Sequence, residues 1–165
     1  MSEGVSKAAV ERELLEAWEA LGSAVDSFSD REMEQPGAVD EWSGKDLLGH
    51  IAFWARQAAA NLALVAAGKQ GEIRRPDTEA ELDEWNEREW RARKDHDLAA
   101  AREDWLSSFD EAMQALAAFP SERLEEKVRG DETALKLFAE DTYEHYREHV
   151  EHLHAWRRQL ETTET

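Results

Sequence analysis

The sequence has no cysteine among its 165 residues, which excludes disulfide bridges, thiolate metal sites and cysteine nucleophiles. Proline is scarce, at three, and β-branched residues are scattered rather than alternating, so strand signals are nearly absent. No apolar run approaches the ~20 residues of a membrane-spanning helix. The opening Met1-Ser-Glu-Gly has neither the basic nor the apolar region of a secretory signal, and the expected location is the cytoplasm. Bases are also in deficit: 20 Lys and Arg against 38 Asp and Glu give a formal net charge of −18. Such a surface repels phosphate backbones and anionic lipid, so charge predicts neither a nucleic-acid nor a membrane partner. The one basic run, Arg88, Arg91, Arg93 and Lys94, is interleaved with acids and reads as a solvated face. There is no glycine-rich phosphate loop, and no serine or lysine has an identifiable activating partner.

What remains is rich in Ala, Leu, Glu and Arg, and its apolar residues recur at helical spacing. In residues 5–28, Leu14, Leu15, Trp18, Leu21 and Val25 define a first helix. Pro36-Gly37 then marks a turn, and Ser43-Gly-Lys-Asp46 supplies a capping hydroxyl with an acid three residues on, which predicts a second helix over 44–67. Leu82, Trp85 and Trp90 suggest a short auxiliary helix over 79–93. Asp97 caps a third main helix over 98–119, ending before Pro120, and Thr133 caps a fourth over 134–161, with 162–165 frayed. No internal repeat or dividing linker is evident. The predicted fold is therefore all-α: a single domain over 1–165, built as a four-helix bundle.

Four of the six histidines fall within ten residues of the fourth helix. At about 100° per residue, Phe138, His145, His149 and Trp156 lie within roughly 20° of one line, which puts two imidazoles on the core-facing stripe. His152 falls at the stripe's edge and His154 on the opposite side. The i,i+4 spacing of His145 and His149 stacks two rings across one turn, so both can ligate one ion. On the second helix, His50 is flanked by Leu47, Ile51 and Trp54 and also points inward. A single inward histidine is more commonly a hydrogen-bonded core residue. Three on two facing helices suit a zinc or nickel ion with a position left for water or substrate. His96, between Asp95 and Asp97, reads as a surface residue. Trp18, Trp54, Trp105 and Trp156 take packing positions, and Trp42 precedes the second helix at the bundle's end. Trp85 and Trp90 are candidate walls of a ligand pocket, with Asn86 as a polar contact to substrate. Glu144 and Glu148 flank the histidine stripe and are the candidates for moving a proton.

Glu41-Trp-Ser-Gly-Lys-Asp-Leu-Leu-Gly-His-Ile-Ala-Phe-Trp54, followed by Asp141-Thr-Tyr-Glu-His-Tyr-Arg-Glu-His149, resembles the DinB-like superfamily. Within it the likeness is to the ClbS/DfsB group, which Leu82-Asp-Glu-Trp-Asn-Glu also resembles. The resemblance implies a four-helix bundle, often a homodimer, with a divalent metal held by His50, His145 and His149. It further implies a metal-dependent enzyme acting on an electrophilic small molecule, either a hydrolase or a transferase using a low-molecular-weight thiol, in detoxification or resistance. The alternative is a non-catalytic protein that sequesters a small molecule. The better-known thiol transferases carry His-Arg-Gly-Gln near the helix end, where this chain has Ala155-Trp-Arg-Arg-Gln. That departure leaves the thiol open, together with a register in which His152 replaces one of the pair.

Overall fold

The computed structural model describes residues 4–163; of the four residues expected to fray, Thr162 and Thr163 are described and Glu164 and Thr165 lie outside. Among the described residues the chain is helical apart from short turns and two small hairpins. Helix α1 spans Lys7–Asp26, capped by Ser6, and buries Val10, Leu14, Ala17, Leu21 and Val25. Leu15, expected on that stripe, is exposed: it falls one residue, about 100°, off Leu14. A single turn, α2 (Asp30–Met33), precedes the hairpin β1 (Pro36–Val39) and β2 (Trp42–Ser43), which leads into α3 (Gly44–Ala66). At its start the capping box forms with an aspartate in the usual glutamate position: Ser43 Oγ accepts from the Asp46 N–H, and the Asp46 carboxylate accepts from the Ser43 N–H.

The auxiliary helix α4 (Glu79–Arg93) buries no residue fully. It lies against α3, where Trp85 stacks on Trp54 with ring centres 6.0 Å apart, and Asn86 Oδ1 accepts from Trp54 Nε1 at 3.0 Å. Gly49 allows the close approach, since a Cβ there would meet Arg93 Cδ at 3.1 Å. Helix α5 (Leu98–Ala118) is capped by Asp97 and packs along α3, while α1 packs along the last helix. Leu14, Leu21, Ile51, Leu116 and Phe138 in the shared core are at most 1% exposed. Burying each such side chain contributes about 1.5–3 kcal/mol.

The expected fourth helix over 134–161 is in fact two, α6 (Ala134–Asp141) and α7 (Tyr143–Thr163). Thr142 sits between them at φ −122°, ψ −101°, its hydroxyl donating to the Phe138 carbonyl four residues back. A threonine bonded in this way competes with the helical ladder, and here the ladder breaks. Phe138 and the histidines therefore do not share one continuous stripe, although His149 and Trp156 do share the buried face of α7.

The hairpins were not expected, nor was the repeat they belong to. A capped helix, a short helical turn, a hairpin and a second capped helix occur in that order twice, the second hairpin being β3 (Lys127–Arg129) and β4 (Glu132–Thr133). Equivalent positions are 90 or 91 residues apart: Ser6 and Asp97 cap, Phe28 and Phe119 are buried, and Ser43 and Thr133 cap. Asp40 and Gly130 take the matching left-handed position, at φ 51° and 57°.

Short ties hold the ends of the bundle. Glu32 on α2 accepts two bonds of 3.1 Å from Arg157 on α7 and one of 2.9 Å from the Ser29 N–H. The Arg157 bond, then the backbone bond, hold its carboxyl down at about 2. A carboxyl lowered by folding stabilises fully above its ordinary value of 4.5 and loses that contribution as pH falls toward 2. Glu32→Gln is thus expected to lower the melting temperature at pH 7, with the gap from the parent closing across that acid window in calorimetry.

Candidate metal centre

Helix α3 presents His50 and helix α7 presents His145 and His149 to the same point. His145 Nε2 lies 3.0 Å from His50 Nε2 and 2.9 Å from His149 Nε2, and the three donor atoms are all within 4.8 Å of one another. Trp42, from the hairpin, packs its ring 4.9 Å from the His50 ring. Burial is the main reason all three imidazoles are held neutral: it lowers His50 to about 4 and His149 to about 2, and puts His145 well below its ordinary value. Mutual repulsion between the rings adds to this.

This donor set could hold a divalent cation. A neutral imidazole nitrogen has either one proton or one lone pair, so three facing Nε2 atoms cannot satisfy one another as well as they satisfy a shared Lewis acid. His145 is the least satisfied, because its Nδ1 is also buried without a hydrogen-bond partner. His152 belongs to an outer position: its Nδ1 lies 3.0 Å from His149 Nδ1. His154 and His96 are exposed, as expected.

The three histidines lie at the floor of an open cleft of about 940 Å³, walled by α3, α4, α7, the first hairpin and the segment before α4. Of the remaining sequence candidates, Asn86 and Glu148 line this cleft, whereas Trp90 lines a smaller cavity that shares Trp42, His50 and Asn86 with it. Trp85 lines neither, because its face is taken by Trp54, and Trp54 itself contributes to the wall. Glu144 is exposed on α7 and outside the lining.

Sequence reading missed the ion pair at the cleft's edge. Arg75 donates to both oxygens of Asp141, at 2.6 and 3.2 Å, with side chains only 12% and 7% exposed. Burial pushes the Asp141 carboxyl up to about 6 against the pull of Arg75. Asp141 ends α6, so the guanidinium also meets the negative end of that helix. The only available signal was Asp141 at the head of the second histidine motif; Arg75 sits in a polar connection with no periodicity to mark it.

Among the described residues, no helix is long and apolar enough to cross a membrane. No curated protein matches the sequence. The backbone is similar to the crystal structure of colibactin self-resistance protein ClbS in complex with a dsDNA, with TM-score 0.80 and 14% identity over 94% of this chain and 98% of that one. This likeness corrects one expectation. ClbS has this fold and is solved with double-stranded DNA, so a net charge of −18 does not exclude nucleic acid as a partner. Net charge averages a whole surface, whereas phosphate contacts are local. The model of the mycothiol maleylpyruvate isomerase N-terminal domain matches residues 14–156, nearly the whole chain, and the protein belongs to that family within the DinB-like superfamily.

Proposed function

We propose that the chain is a single-domain, metal-dependent enzyme acting on an electrophilic small molecule, as a hydrolase or thiol transferase, in detoxification or resistance. The observation that carries this reading is the convergence of three neutral imidazoles at the floor of a cleft large enough for a substrate. His50, His145 and His149 would hold the ion, with zinc or nickel suited to three nitrogen donors. Such an ion supplies Lewis acidity, lowering the pKa of a water or thiol at neutral pH. The chain's own residues do the rest. Trp42 packs on His50 and fixes its ring, His152 braces His149, and Trp54 with Asn86 shapes the wall opposite. Glu148, exposed on the cleft wall beside His149, is the carboxylate placed to accept the nucleophile's proton. The resistance role rests on the likeness to ClbS.

The test is turnover by protein purified without a histidine tag. Epoxide- and cyclopropane-bearing electrophiles would be offered with and without a low-molecular-weight thiol, before and after chelation. Metal-dependent consumption that disappears in His149→Ala is expected. Consumption that survives both chelation and the substitution would end the metal reading, and saturable binding without turnover would replace catalysis by sequestration.

A second reading, duplex DNA as partner, is favoured by the ClbS complex. On this reading a labelled duplex shows saturable binding in fluorescence anisotropy at low salt, with affinity falling steeply as salt rises. A flat titration at low salt removes it.

A further inference from the structure

The cleft wall is far more acidic than the chain as a whole. Eight of its twenty lining residues are Asp or Glu and one is Lys or Arg, whereas the whole sequence has 38 Asp and Glu and 20 Lys and Arg. That one, Arg75, is already committed to Asp141. Asp77 is taken by Arg129 and Glu87 by Arg91, but no ion pair among the described residues involves Asp40, Glu41, Glu79, Asp83 or Glu148. These five carboxylates come from three separate parts of the fold: the first hairpin, α4 and α7. All are exposed. Trp42 and Trp54 add indole surface to the same wall.

Two observations independent of the acids mark this cleft as a ligand site. The three Nε2 atoms converge at its floor, and His145, which lines it, has its other ring nitrogen, Nδ1, buried without a partner. Charge lining a cleft with low-dielectric walls focuses the field and raises the local concentration of oppositely charged solutes. Aromatic faces beside those charges add cation–π attraction.

We propose that the cleft selects substrates carrying a positive charge, an ammonium or amidinium group, held among the rim carboxylates and the indoles while the electrophilic end reaches the histidines. The proposal rests on the reading of this cleft as the substrate site. It narrows the nucleophile as well: a thiol bearing carboxylates, such as glutathione, is repelled by the same wall, and water or an uncharged thiol is admitted.

The test uses two probes of similar size and opposite charge, benzyltrimethylammonium and phenylacetate. Each is titrated into zinc-loaded protein while the indole N–H resonances are followed by NMR, and zinc content is measured on the same samples. Benzyltrimethylammonium is expected to saturate at about tenfold lower concentration than phenylacetate, a preference that shrinks as salt is raised. In the triple variant Glu41→Gln, Asp83→Asn, Glu148→Gln, all at exposed positions, the ratio should fall to within about threefold while zinc content is unchanged. Equal affinities in the parent, or a ratio unaltered by the triple variant, would overturn the inference. Zinc-loaded protein without a cation preference fails this inference alone, whereas a cation preference without zinc uptake fails the metal reading alone.

Discussion

Replacing His145 with alanine is expected to abolish retention of zinc or nickel, lowering affinity by more than about a hundredfold, beyond the effect typical of outer-shell partners. His145 is the middle member of the trio, with its Nε2 within hydrogen-bonding distance of both His50 and His149. Without it the two remaining imidazoles form no three-ligand set. His152→Ala should behave differently. It removes a brace on His149 Nδ1 rather than a facing nitrogen, so a loss of about ten- to a hundredfold is expected. His154→Ala should be neutral, since His154 is exposed on α7. Chelator competition on untagged protein separates these three outcomes, and equal losses for His145→Ala and His152→Ala would revive the alternative register.

The largest stability effect is expected at Arg75. Removing the guanidinium in Arg75→Ala strands the Asp141 carboxylate, 7% exposed, without its two hydrogen bonds. Breaking a buried pair from one side costs about 3–5 kcal/mol, or roughly 10 °C in melting temperature for a chain of this size. The deficit should depend on pH with a definite sign. The Asp141 carboxyl is already raised by burial to about 6, and losing Arg75 raises it further. A group whose pKa is raised by folding takes up its proton more readily in the native state, so the variant recovers stability relative to the parent as pH falls toward 6 from above, and the gap levels off below 6, where the parent's carboxyl is protonated too. Removing both charges, in Arg75→Met with Asp141→Leu, should cost much less than Arg75→Ala. Thermal melts from pH 5 to 8 read all of these, and a deficit that stays constant across that range would place the cost in packing rather than charge.

Much of this protein is legible in its sequence because its helices carry strong local punctuation. Ser43, Asp97 and Thr133 each do what their position suggests, accepting from an amide three residues on, and the helix starts follow. The inward orientation of His50, His145 and His149 follows from spacing alone. What escaped has a common cause: it depends on contacts between distant segments, or on elements too short to show a period. The strands have two to four residues, fewer than an alternation needs. The repeat lies in the order of caps, turns and buried positions rather than in residue identity: Asp40 matches Gly130, and Trp18 matches Phe109. The break at Thr142 falls inside an otherwise periodic segment and is set by one side chain bonding back to Phe138. Trp85 has the composition of a pocket wall, yet its stacking on Trp54 leaves it as the contact that docks α4. The exclusion of nucleic acid failed for a related reason, since a summed charge has no address on the surface.

The proposed metal site is formed by three histidines at the floor of an acidic cleft. Crystals of untagged protein grown with zinc, with data collected on both sides of the zinc absorption edge, test this most directly. An anomalous difference peak within bonding distance of Nε2 of His50, His145 and His149 is the result expected. A peak ligated elsewhere, or none in crystals whose protein has been exposed to excess zinc, would contradict it.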